Sequence, residues 1–152
     1  MQTMRTHVIF ASAALLLSLA TFSSVTVAAT TVVNVLLEDS SSDPAIGNMR
    51  MSLDRATVTG GRVTFRAINQ SKNLIHEVIV VRIDPKKPAL PYDEKKGEVI
   101  EKQIHHLGEI SDLKPGASGA ITLSLKRGSY VLICNQPGYY KAGMDANLLV
   151  NK

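Results

Sequence analysis

From Thr30 onward, hydrophobic and polar positions alternate along most of the chain, the period-two signature of strands with one face buried. Residues 31–37, TVVNVLL, form a β-branched run. Met49, Met51 and Leu53 alternate with Arg50, Ser52 and Asp54, and RVTFRAIN at 62–69 alternates again. The most hydrophobic strand candidate is HEVIVVRI at 76–83. GAITLSL within 117–125, SYVLICN at 129–135 and a short segment at 147–150 complete the set. Turn chemistry separates them: EDSSSDPAIG at 38–47, Gly60-Gly61, a hairpin-like NQSKN at 69–73, Lys114-Pro115-Gly116, Arg127-Gly128 and Pro137-Gly138. Residues 84–102 break the rhythm. Pro85, Pro88 and Pro91 among many Lys and Glu predict a solvated surface excursion, with one helical turn near 93–99 and a face on which a partner could dock. Short strands without an amphipathic helix predict an all-β antiparallel sandwich or barrel.

The chain has 152 residues, enough for one domain. Its first stretch reads as an address. Arg5 and His7 precede the apolar run VIFASAALLLSLA, and Val27-Ala28-Ala29 supplies small residues at a cleavage point. This is the pattern of a secretory signal peptide over residues 1–29, leaving a mature domain at 30–152 in the periplasm or otherwise exported. The rival reading is an uncleaved anchor, but the run falls short of the roughly 20 residues that a spanning helix needs. No cysteine near the cleavage point offers a lipid anchor, and no second hydrophobic run follows, so no integral span is expected in the mature chain.

Composition narrows the partners. Net charge is +4, but Lys and Arg are scattered among Asp and Glu and not gathered into a stripe, so nucleic-acid binding is not expected. Hydrophobic residues are 45% of the chain and aromatics only 5%, so the core must be mostly Val, Ile and Leu. A lone cysteine, Cys134, cannot form an internal disulfide. In an exported protein it is deeply buried, paired with another molecule, or occupied by a metal.

Cys134 ends a hydrophobic strand, Met144 lies ten positions later across a loop, and His76 heads another hydrophobic strand. Thiolate, imidazole and thioether together are the donors of a copper site. If 117–125 and 129–135 form a hairpin, Cys134 lies at the Pro115 end and the following loop closes over it. His105 and His106 precede that turn and read as surface residues. Met49 and Met51 read as core-facing strand residues, although thioethers also suit Cu(I). Glu77 is expected to hydrogen-bond or face solvent, and Asn73 or Asn135 to tie the two ligand loops together.

Residues 130–144, YVLICNQPGYYKAGM, resemble the copper loop of the cupredoxins, nearest to the rusticyanin- and auracyanin-like members, in which Cys, four residues, His, four residues and Met follow in order. Residues 63–81, VTFRAINQSKNLIHEVIVV, resemble the upstream element of that family, an Asn-containing turn leading to a His-Glu pair at the head of a core strand. The resemblance spans the mature chain. It implies a cupredoxin-like Greek-key β-sandwich of about seven to eight strands, one copper ion, and His76, Cys134 and Met144 as ligands. The departure is Tyr139, which stands where the second histidine belongs. Its phenol could ligate, water could fill the place, Cu(I) could be held by the other three, or the site could be vestigial.

The expected function is non-catalytic one-electron transfer through an atypical mononuclear Cys/His/Met copper site, with redox or copper-trafficking proteins as partners. The alternatives are a Cu(I) carrier or store, a metal-free interaction domain with a degenerate site, and an enzyme with an open coordination position at Tyr139. No general base or second metal cluster in the sequence supports the last of these.

Overall fold

Strands form where the alternation predicts them. The computed structural model describes residues 30–39 and 49–152; the leader read at 1–29 and most of the polar loop at 38–47 lie outside the described residues. One sheet contains β1 (Thr31–Glu38), β2 (Arg50–Leu53), β4 (Gly61–Asn69) and β9 (Ser118–Leu125), in the order β2-β1-β4-β9. The other contains β3 (Thr57–Thr59), β5 (His76–Ile83), β8 (His105–Leu113), β10 (Gly128–Ile133) and β11 (Asp145–Asn151), in the order β3-β11-β10-β5-β8. The sandwich thus has nine strands among the described residues, against the seven or eight expected. The three-residue β3 is too short to show a period.

The inward residues are those that the period of two selects. Val33, Val35 and Leu37 of β1 and Val63, Phe65 and Ala67 of β4 face Val78 and Val80 of β5, Tyr130 and Leu132 of β10, and Leu148 and Val150 of β11. β5 and β10 are buried on both faces, which explains why 76–83 reads as a nearly continuous hydrophobic run.

Three expectations are corrected. First, NQSKN is not a hairpin turn. It carries the chain from β4 in one sheet to β5 in the other. Second, β9 and β10 are not a hairpin either: β9 pairs with β4, and β10 lies between β5 and β11. Cys134 still falls at the Pro115 end, because His76 at the head of β5 pairs with Leu113, beside the turn at 114–116. Third, the single helical turn expected near 93–99 is the tip of a hairpin: Tyr92–Asp93 (β6) and Glu98–Val99 (β7) pair antiparallel around an α-type turn in which the Gly97 amide donates to the Asp93 carbonyl at 2.8 Å, and a 3-10 helix follows at Glu101–Gln103. The sheets are also mixed, since β1 runs parallel to β4 and β3 parallel to β11.

The excursion is not solvated throughout. Leu90, Tyr92, Val99 and Ile104 pack on a second apolar cluster formed by the outward side chains Ile79, Val81, Val131 and Ile133. The outer face of this sheet therefore acquires a third layer, a strap laid over it.

Asn69 fixes the crossover that delivers His76. Its Nδ2 donates to the carbonyl oxygens of Leu74 and Leu113, both at 2.8 Å, and its Oδ1 accepts from the Ser71 amide at 2.8 Å. The side chain is fully buried, so no water can replace these bonds. Asn69→Ala should lower the free energy of unfolding by about 2–4 kcal/mol, because buried partners left unsatisfied cost about 1–3 kcal/mol each and relaxation recovers part of that. Asn73→Ala, at an exposed position in the same crossover, should change it by less than about 0.5 kcal/mol. Urea unfolding of the two variants against the parent checks both values.

Candidate metal centre

His76 and Cys134 arrive from neighbouring strands. β5 and β10 pair in antiparallel register, Ile133 opposite Ile79, so the residue after β10 and the residue that opens β5 share one end of the sandwich. Both side chains are fully buried. His76 Nδ1 lies 3.8 Å from Cys134 Sγ. On the other side of the ring, Nε2 lies 3.4 Å from Oδ2 of Asp39. A carboxylate only accepts, so this contact places the ring proton on Nε2 and leaves the Nδ1 lone pair facing the sulfur. An acid holding the far nitrogen of a histidine in this way is the usual orienting partner of a metal-binding imidazole.

Cys134 Sγ accepts from the Glu77 amide at 3.4 Å and also from the Gln136 amide. Burial nevertheless pushes the thiol up to about 12, those two amides opposing it. The metal-free residue is therefore a protonated, inaccessible thiol. Its complete burial removes the intermolecular-disulfide reading and leaves a buried thiol or a metal ligand. Burial lowers the His76 pKa and Asp39 opposes the shift, so the imidazole is neutral at pH 7 and able to coordinate.

Met144 and Tyr139 close the group. Cys134 and Met144 meet at the base of the loop joining β10 to β11, where the Cys134 amide donates to the Met144 carbonyl at 3.0 Å. The Met144 amide donates to the Tyr139 carbonyl at 3.0 Å, and the Met144 side chain is fully buried. The Tyr139 ring packs on His76, with centroids 5.3 Å apart and planes at 60°. Its phenol is raised above its ordinary pKa, by burial first and then by electrostatic coupling to Cys134 and Asp39. Met49 and Met51 are buried in the same core, the strand reading; Met51 lies in β2 opposite Leu37.

Other expectations sort cleanly. Glu77 does hydrogen-bond: its Oε1 accepts from the Asn135 amide at 2.9 Å, a link between the two ligand segments. That link is made by the Glu77 side chain, and not, as expected, by the side chain of Asn73 or Asn135: the Asn135 side chain bonds Val99 and Glu101 of the strap instead. His105 and His106 stay away from the sulfur, since they pair with Arg82 and Val81, at the other end of β5 from His76. His106 instead joins Glu101 and Glu109 in an exposed trio with metal-compatible spacing. A wide groove of about 760 Å³ on the outer face of the β2-β1-β4-β9 sheet contains none of these donors. Asp39 is the residue that sequence reasoning missed. It sits in a polar stretch where nothing distinguishes it from Asp43.

No protein-family model and no curated protein matches the sequence. Solved structures do match the fold. A dithionite-reduced auracyanin from Roseiflexus castenholzii superposes with a TM-score of 0.54 at 21% identity, covering 82% of this chain and 99% of that one. Rusticyanin from Thiobacillus ferrooxidans gives 0.57 at 16% identity, covering 80% and 77%. Auracyanin A from Chloroflexus aurantiacus, described as a blue copper protein, gives 0.51 at 22% identity, covering 81% and 100%. This is the cupredoxin fold. In the cupredoxin frame, the connection between β10 and β11 is the segment that the sequence resemblance reads as the copper loop.

Glu77 has a measurable consequence of its own. Burial, reinforced by the charges of Glu101, Glu109 and Asp112, raises its carboxyl to about 7, against the Asn135 amide, which lowers it. Between the ordinary value of 4.5 and about 7, the native state keeps a proton that the unfolded chain has lost. Stability from this group is full below 4.5 and declines as pH rises through that window. Glu77→Gln, whose carbonyl can still accept from Asn135, should therefore gain stability over the parent as pH rises from about 4.5 to about 7. The gap should be constant above that. Urea midpoints of the metal-free proteins at several pH values check the difference curve.

Proposed function

We propose that this chain is an exported, non-catalytic copper protein that carries single electrons through a mononuclear site of His76, Cys134 and Met144. The observation that carries the reading is the buried His76–Cys134 pair, with Nδ1 aimed at the sulfur from 3.8 Å and Nε2 held by Asp39. The donor set suits copper: a thiol that must lose its proton to bind, a neutral imidazole with its lone pair inward, and a fully buried thioether on the same loop as the thiol. Copper, when bound, supplies a Cu(II)/Cu(I) couple. The chain's own contribution is constraint. Asp39 fixes the ring, two backbone amides hold the sulfur, and the Cys134–Met144 backbone bond closes the loop, so few atoms need to move when charge changes. Redox proteins or copper-trafficking proteins are the partners that this role implies. Export is read from residues 1–29; among the described residues, no helix is long and apolar enough to cross a membrane.

Tyr139 favours a second reading, carriage or storage of Cu(I). Its phenol is held in the protonated form by burial, which makes it a poor fourth donor. Imidazole, thiolate and thioether alone suit the reduced ion.

Titration of the purified protein with Cu(II) and with Cu(I) separates the two. A strong thiolate-to-copper band that bleaches reversibly on reduction is expected for electron transfer. A colourless protein that binds only Cu(I) tightly would favour carriage, and failure to take up either ion would sink both. Tyr139→His should create or intensify a blue absorption, since it restores the second imidazole. A Tyr139→His protein that binds copper yet stays colourless would overturn the assigned loop geometry.

A further inference from the structure

The loop from Cys134 to Met144 has two sides. Cys134, Tyr139 and Met144 turn into the core. Asn135, Gly138, Tyr140 and Lys141 turn the other way and meet the strap. Asn135 Oδ1 accepts from the Val99 amide at 2.6 Å, and Nδ2 donates to the Val99 carbonyl at 3.1 Å and to Glu101 Oε1 at 2.9 Å. One side chain thereby satisfies both backbone groups of Val99, as a neighbouring strand would. The Gly138 amide donates to the Gly97 carbonyl at 2.7 Å. Gly97 has φ +74°, and a Cβ there would lie 3.0 Å from the Gly138 nitrogen. Lys141 pairs with Glu94 and lies 4.6 Å over the Tyr92 ring, which in turn sits 6.2 Å from Tyr140.

We infer that the strap formed by β6, β7 and the turn between them is a positioning clamp. It holds the Cys134–Met144 loop in its ligand-presenting shape from outside, before any metal arrives, and so sets the geometry around the sulfur. The clamp does not touch the donors. It acts through Asn135 and Gly138, and its spectroscopic part rests on the copper reading above. The left-handed turn at Gly97 and the amide bridge at Asn135 are the two points where it is built. The Lys141–Glu94 pair is exposed and contributes little.

Two variants loosen the clamp independently. Gly97→Ala disfavours the left-handed turn and crowds the Gly138 amide. Asn135→Ala removes the bridge to Val99. Hydrogen exchange on the metal-free proteins reads the loop through the Tyr139, Ala142, Gly143 and Met144 amides, each bonded within the loop. Exchange at these four should accelerate at least tenfold in both variants, while amides of the β10–β5 ladder stay protected. In the copper-loaded proteins the thiolate-to-copper band should shift or change in intensity. Loop exchange and spectrum both unchanged from the parent in either variant would overturn the clamp. Should Asn135→Ala also lose protection in the ladder, Gly97→Ala alone decides. A parent that takes up no copper sinks the copper reading, and the exchange measurement still decides the clamp.

Discussion

A thiol and an imidazole share one dry pocket, and the rest of this end of the sandwich follows from the cost of putting them there. Burial alone drives both toward their neutral forms, the thiol up to about 12 and the imidazole downward. A buried polar group without a partner costs stability, so each must find one. The sulfur takes the amides of Glu77 and Gln136, and the imidazole takes Asp39 on its far nitrogen. Among the described residues, no buried side-chain nitrogen or oxygen lacks a partner. The same bonds that make burial tolerable also fix orientation. That is why two neutral groups in a core amount to an oriented pair and not merely to a packed interior.

Orientation passes outward through residues adjacent in sequence to the donors. Glu77 follows His76 and accepts from the amide of Asn135, which follows Cys134. Asn135 then reaches to Val99 and Glu101 in the strap. Three levels are joined in this order: the buried pair, the end of the neighbouring strands β5 and β10, and the excursion over the outer face. Two of these links, Glu77 to the Asn135 amide and Asn135 to the Val99 backbone, pair a side chain with a fixed backbone group. A charge-rich segment that looks like surface decoration is in this way tied to the inner donors.

The alternation in the chain placed most strands within one or two residues, and HEVIVVRI matched β5 at both ends. It could not say which strands pair. NQSKN and Arg127-Gly128 carry the chemistry of tight turns, yet both connect strands in opposite sheets, because side-chain period reports a buried face and not the identity of the neighbour. The excursion was misjudged for a similar reason. Its Lys and Glu dominate the count, while Leu90, Tyr92 and Val99, spaced irregularly among them, make the contacts. At the site, His76, Cys134 and Met144 were visible through donor chemistry and a family-like spacing. Asp39 was not. A carboxylate in a polar loop acquires meaning only from what folds against it, and that partner is 37 residues away.

Tyr139 shows how far such a cage tolerates change. The residue faces inward and packs on His76, while its neighbours Gly138 and Tyr140 face the strap. The loop's shape is therefore held by positions other than 139. The backbone bonds at this position do not involve its side chain: the Tyr139 carbonyl accepts from the Met144 amide, and the Tyr139 amide donates to the Gln136 carbonyl at 3.0 Å. A change of side chain at 139 therefore leaves these two bonds available. On the copper reading proposed above, metal affinity would rest with His76, Cys134 and Met144 and the electronic character of the site with position 139, as separable properties.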